Sequence, residues 1–302
     1  KNSPHSRPPP AHAFEREGSG RISAWGLRGE RGLDQSSPDY VATSRAKDKT
    51  RRKHKAGSKR RGPGVAGLIW PQRSLITNRE VAGPGALEPE LWAKLQFLSD
   101  PLCARCGTPF EIAVDPGQVC GACLAHPPVY DRARAALVYG DGSRELVLGL
   151  KYQGRRDGLS VLGGWMASAG AELLLDADLL VPVPLHYFRL VRRGFNQSAW
   201  LAAALSRASG VKLAVDALKR VKATPIQGGL SADGRRRNVQ GAFKVRRSRE
   251  NMVKGQKILL VDDVLTTGAT AEACTRALRR AGAACVDVVT LARVAGPRAA
   301  PI

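Results

Sequence analysis

The chain has 302 residues, 43% of them hydrophobic, which is enough apolar mass for one substantial core and a smaller appended module. The formal net charge is +22, but residues 1–64 hold 16 Lys and Arg against 6 Asp and Glu, so +10 of it sits in that stretch and the remainder is spread thinly. No window reaches the roughly 18–20 uninterrupted apolar residues of a membrane span. The nearest approach, Leu159 to Ala171, is broken by Ser160, Ser168 and glycines. Nor does the start of the sequence show a secretory signal pattern, so a reducing, cytoplasmic setting is expected.

Residues 1–66 are rich in Pro, Gly, Ser, Arg and Lys, include Pro8-Pro9-Pro10 and Arg51-Arg52-Lys53-His54-Lys55, and lack apolar periodicity. A disordered basic tail is expected there. Lys47 to Arg61 reads either as a nucleic-acid-binding arm, since clustered cations release phosphate counterions, or as a solvated tail. The lack of interleaved aromatics to stack on bases favours the tail. The chain begins at Lys1 and its methionines are Met166 and Met252, so this N-terminus is not expected to be a natural translation start.

From Gly67 the texture becomes that of a folded protein, with a short helix expected over Glu88 to Leu98 on the spacing of Leu91, Leu95 and Leu98. Next come two Cys-x-x-Cys pairs, Cys103/Cys106 and Cys120/Cys123, thirteen residues apart. Two matched pairs with small neighbours such as Gly107 and Gly121 suit one tetrahedral zinc ion better than disulfides. With all four ligand positions filled, such a zinc is structural. Cys274 and Cys285 read as core thiols. Residues 67–127 are thus expected to form a zinc-ribbon-like module.

After Pro127-Pro128 the pattern alternates, and residues 128–296 are expected to form one α/β domain. Strands are expected over Ala135 to Tyr139, Leu179 to Val183, Ile258 to Val261 and Cys285 to Ala292. Helices are expected from Ser143 as N-cap, over Leu159 to Leu175, over Gln197 to Ser209 with Gly210 as its stop, and over Ala271 to Ala281. Such alternation implies a mainly parallel sheet covered on both faces.

The richest stretch runs from Lys257 to Thr270. A buried apolar strand leads into Asp262 and Asp263, then into Thr266-Thr267-Gly268-Ala269-Thr270 and a helix. In an open α/β sheet, ligands bind at that carboxyl edge. The loop offers backbone N–H groups and hydroxyls at a helix N-terminus to a phosphate, and Gly268 lets the backbone come close. The carboxylates suit a sugar diol or the hydration shell of magnesium. The alternative, Thr266 or Thr270 as a simple helix cap, leaves the paired acids unexplained. A ribose 5-phosphate site is the reading that uses all of these groups. Arg189, Arg192 and Arg193 follow a strand end, where guanidinium forks suit pyrophosphate oxygens; for Arg192 a plain surface role serves equally well.

This segment resembles the signature of type I phosphoribosyltransferases, which hold 5-phosphoribosyl-1-pyrophosphate. Together with Val181-Pro-Val-Pro-Leu-His186, Arg193-Gly-Phe-Asn-Gln197, Gln227-Gly-Gly-Leu-Ser231 and Arg237-Asn-Val-Gln-Gly-Ala-Phe243, it resembles the ComF family over about Leu68 to Val294. The resemblance implies a phosphoribosyltransferase-type fold behind a zinc-binding region, with Lys151 in a familiar place and Thr224 to Gly241 as a mobile flap. Its implied chemistry is magnesium-assisted displacement of pyrophosphate by a nucleobase-like acceptor whose identity is open. Asp262, Asp263 and Arg193 are the expected catalytic residues; Thr266 to Thr270, Arg189, Arg193 and both acids are the expected donor contacts. The alternative it carries is a non-catalytic, donor-binding accessory protein of DNA uptake. The family often has an earlier pair of cysteine knuckles, but here Ser74, Thr77, Glu88 and Leu91 stand in that stretch, so a second metal is not expected.

Overall fold

The computed structural model describes residues 74, 79–81, 87–152, 156, 158–222, 237 and 239–295. The basic tail lies outside the described residues, as does most of the expected flap. Among the described residues no helix is long and apolar enough to cross a membrane.

Five strands form one parallel sheet in the order β1-β7-β6-β2-β3. These are β1 (Ala133–Val138), β2 (Leu179–Pro182), β3 (Lys212–Leu213), β6 (Lys257–Leu265) and β7 (Cys285–Arg293). Strands β4 (Leu218–Arg220) and β5 (Phe243–Val245) pair antiparallel as a separate ribbon. Side chains alternate across a strand, and β6 divides its apolar residues accordingly. Ile258 and Leu260 face a core with Val181, Val288, Cys274, Leu278 and Phe243. Leu259 and Val261 face one with Leu180, Val289, Leu162, Met166 and Leu201. All four are buried, and each contributes about 1.5–3 kcal/mol. A strand buried on both faces has to be a continuous apolar run, which is how this one reads.

The second core is roofed by α4 (Leu159–Ala169) and α7 (Gln197–Ser209), and the first by α9 (Ala269–Arg280), while the short helices α2 (Gly121–Ala125) and α8 (Glu250–Val253) lie elsewhere in the chain. α4 buries Leu159, Leu162, Gly163 and Met166, one stripe at i, i+3, i+4 and i+7. The helices approach so closely at Gly163 that a Cβ there would stand 2.8 Å from the Cβ of Ala204.

Several expectations need correction. The helix expected over Leu159 to Leu175 is two, α4 and α5 (Ala171–Asp176), divided at Gly170. A Cβ at Gly170 would sit 3.1 Å from a Val289 methyl, so the break lets the chain close on β7. The helix expected over Glu88 to Leu98 is only α1 (Pro89–Trp92). Beyond it Phe97 bridges Leu137 antiparallel, and Leu98 N–H donates to Ala136 O at 2.9 Å, so pairing to the sheet edge outweighs helical spacing. Ser143 lies inside α3 (Asp141–Tyr152), not before it; its hydroxyl donates to Val138 O and accepts from Gly140 N–H. β6 runs on to Leu265, so both acids lie within the strand. The segment after β2 is a helix of its own, α6 (Tyr187–Arg193).

Candidate functional site

β6, α7 and the end of α3 bring the acid pair together with three other polar groups. Asn196 caps α7, its side-chain oxygen accepting from Ser198 N–H at 3.2 Å while its amide donates to Val183 O at 3.0 Å. This ties the start of α7 to the end of β2 and turns the first helical residues toward β6. Gln197, 4% exposed, then donates through Nε2 to Asp263 Oδ2 at 3.1 Å. Ser198 Oγ donates to Asp262 Oδ1 at 2.8 Å, and that oxygen also accepts from the Asp263 amide at 2.9 Å. Lys151 Nζ, at the end of α3, meets Asp263 Oδ2 at 3.0 Å.

The electrostatics follow from crowding two carboxyls at a buried strand end. Loss of water pushes the Asp262 carboxyl up to about 7, and the neighbouring Asp263 charge adds to it, while Ser198, the Asp263 amide and Lys151 pull the other way. For Lys151, burial works to lower the ammonium, but attraction and hydrogen bonding to Asp263 outweigh it, and the net direction is upward. Lys151 pairs with Asp263 while the Asp262 carboxyl titrates near neutral pH, so the edge can take up a hydroxyl donor or, on losing the Asp262 proton, a cation.

Immediately downstream, Thr266 to Gly268 turn the chain from β6 into α9. Gly268 takes the left-handed N-cap position at φ 78° with no side-chain cap hydrogen bond, so neither Thr266 nor Thr270 serves as a cap. The first-turn N–H groups of a helix have no partner within it, and their dipole favours an anion. Asp262, Val264, Thr266, Thr267, Gly268 and Thr270 line one cleft.

Of the expected arginines, Arg193 joins this group by donating to Gln197 Oε1 at 2.8 Å. Arg189 lies on the same helix near Arg220, whose guanidinium is held below its usual range by burial and then by the Arg189 charge. Within the expected flap only 237 and 239–241 are described. Composition alone gave no role to Gln197 or Ser198. The signal was present in the helix pattern, because they extend the buried stripe of Leu201, Ala204 and Leu205 by one polar turn, and polar residues in a core stripe need partners.

The four cysteines of the ribbon gather into a second centre. Their sulfurs all lie within 4.8 Å of one another, and Cys106 Sγ and Cys120 Sγ are 3.7 Å apart. Four ligands at zinc–sulfur bond length stand about 3.8 Å apart, so these residues fit zinc. Cys103 Sγ accepts from the amides of Cys106 and Cys120 at 3.5 and 3.2 Å. A hydrogen bond from Cys103 pulls the Cys106 thiol down to about 4, with Arg293 and Thr108 helping; burial and the Cys106 charge push Cys123 up to about 12. Four thiols sharing one buried site cannot all ionise without a cation among them. The knuckle is mounted on the sheet: Arg293, at the end of β7, donates to the carbonyl of Cys106, and Ala133 N–H donates to Arg105 O at 2.7 Å. Gly107 allows this approach, since a Cβ there would lie 2.4 Å from Ala133 O.

Sequence families match both halves. Residues 167–301 match the Phosphoribosyl transferase domain and residues 65–124 the Double zinc ribbon domain. The chain is therefore a phosphoribosyltransferase-domain protein with a zinc-ribbon module in front of it. Competence protein F of Haemophilus influenzae is 33% identical over 211 residues, covering 66% of this chain and 87% of that protein. The DNA utilization protein YhgH of Escherichia coli is 36% identical over 200 residues, covering 64% and 84%. Competence protein ComFC of Bacillus subtilis is 28% identical over 210 residues, covering 67% and 81%. The chain belongs to the ComF family. A double ribbon implies two metals, but residues 65–102 contain neither Cys nor His, and the buried Ser74 hydroxyl instead donates to Glu88 Oε2 at 2.6 Å. The residues fit one zinc and not the other.

Proposed function

We propose that the carboxyl edge of β6 binds 5-phosphoribosyl-1-pyrophosphate and that the protein transfers its phosphoribosyl group to a nucleobase-like acceptor. The observation that carries this is that β6, with Asp262 and Asp263 close to its carboxyl end, runs through the short turn 266–268 into a helix N-terminus that has no side-chain cap. The amides of residues 268–270, with the Thr266, Thr267 and Thr270 hydroxyls, hold the 5-phosphate. Asp262 and Asp263 accept from the ribose hydroxyls or from water bound to magnesium, whose charge supports the departing pyrophosphate when it is present. Arg193 and Arg189 bind the pyrophosphate oxygens as forks. The bond from the anomeric carbon to the pyrophosphate oxygen breaks, with its electron pair leaving on the pyrophosphate, as the acceptor nitrogen attacks the same carbon. Fixed charges around the leaving group lower that barrier without a covalent enzyme intermediate. A cytoplasmic setting accords with this donor.

A second reading, favoured by the names competence protein F and DNA utilization protein among the relatives, keeps donor binding without turnover. Incubation of the 302-residue chain with the donor, magnesium and pooled nucleobases separates the two. Pyrophosphate release supports transfer; saturable binding without release supports the accessory role. No binding at all refutes both.

A further inference from the structure

Arg193-Gly-Phe-Asn-Gln197 places two charged groups of the site on either side of one neutral amide. Gln197 Oε1 accepts from Arg193 Nη1 at 2.8 Å, and its Nε2 donates to Asp263 Oδ2 at 3.1 Å. Gln197 and Asp263 are both buried. The oxygen that Gln197 reaches is the same one that Lys151 meets at 3.0 Å, and Asn196 anchors the backbone beneath. A carboxamide offers an acceptor at one atom and donors at the other. Its two neighbours, a guanidinium with only donors and a carboxylate with only acceptors, fix which way round it sits.

We infer that Gln197 is a positioning residue that couples Arg193 to Asp263, so that the groups assigned to the pyrophosphate and ribose ends of the donor are held as one unit. This rests on the donor-site reading above. A glutamate at 197 keeps the shape but sets an acceptor against Asp263; a methionine keeps the length but removes both hydrogen bonds. In either variant Arg193 and Asp263 are positioned independently, and the donor has to order them as it binds.

The test is calorimetric titration of the 302-residue chain with 5-phosphoribosyl-1-pyrophosphate and magnesium. The variants are Gln197→Met, Gln197→Glu, Arg193→Met and the double variant Arg193→Met/Gln197→Met, with melting temperatures recorded in parallel. Two charge-assisted hydrogen bonds are lost, so Gln197→Met weakens donor binding roughly 10- to 100-fold. On the Arg193→Met background the same change costs at least about threefold less, because the partner it coupled is already gone. A residue that served folding alone would cost the same factor in both backgrounds, and that result overturns the inference. So does unchanged donor affinity in Gln197→Glu, the variant that keeps side-chain volume should Gln197→Met not fold. Absence of donor binding by the wild-type protein overturns the donor-site reading itself, whereas wild-type binding with additive losses overturns only the role of Gln197.

Discussion

Asp262→Asn separates what the acid pair does for the ligand from what it costs the fold. The asparagine Oδ1 can still accept from Ser198 Oγ and from the Asp263 amide, at 2.8 and 2.9 Å in the native protein, while the crowded charge disappears. A carboxyl moved from 3.8 to about 7 by burial and by Asp263 corresponds to ~4 kcal/mol, at ~1.4 kcal/mol per tenfold change in proton affinity. Partial exposure of the side chain screens this to ~1–3 kcal/mol. The sign follows from linkage. Below about pH 4 the folded and unfolded chains both hold the proton and no penalty arises; between about pH 4 and 7 the unfolded chain releases it and the folded chain keeps it, so wild-type stability falls as pH rises. Above that window the penalty is complete. Urea unfolding should therefore find Asp262→Asn more stable than wild type by ~1–3 kcal/mol at pH 8, with the gap shrinking by more than half at pH 4.5. Donor affinity should fall at least about tenfold in the same variant, as one lost interaction with a charged group predicts. A variant less stable than wild type at pH 8, or a gap independent of pH, would mean that the Asp262 charge does not strain the folded state.

Gly163→Ala should destabilise by ~1–3 kcal/mol in denaturant, although alanine is the better helix former, because its Cβ would meet Ala204 at 2.8 Å. Its donor affinity should fall too, since α7 carries Gln197 and Ser198. Arg132→Met should cost ~3 kcal/mol by thermal or chemical unfolding: Arg132 Nη2 lies 2.6 Å from Asp287 Oδ2 and 2.8 Å from Asp176, and the buried Asp287 would be left without its cation. Elemental analysis should find one zinc per chain. Stripping it with a chelator should expose the thiols of Cys103, Cys106, Cys120 and Cys123 to a thiol reagent while Cys274, fully buried, stays unreactive until global unfolding. Two zinc ions per chain would contradict the Ser74–Glu88 pairing described above.

The resemblance to the ComF family was legible in local motifs, and the family and domain matches agree with it. Apolar runs specify β6 and β7 because a strand covered on both faces needs no alternation. The Cys-x-x-Cys spacing specifies the metal ligands because a knuckle is a local object. Helix lengths were less secure. Nothing in the residues 88–98 themselves tells that the edge of β1 is free to pair with Phe97 and Leu98, and the division at Gly170 answers to a methyl of β7 more than a hundred residues away.

Four strands of the main sheet, the Thr-rich turn after β6 and the four clustered cysteines were legible in the sequence because their causes lie within a few residues of each other, whereas the short β3, β4 and β5 were not. The tertiary structure alone decided that Gln197 and Ser198 reach Asp263 and Asp262, that Lys151 shares an oxygen with Gln197, and that Arg293 ties the zinc knuckle to the sheet. Each of these contacts joins residues far apart in the chain, and a buried polar group is matched to a partner only when packing brings that partner within hydrogen-bond reach.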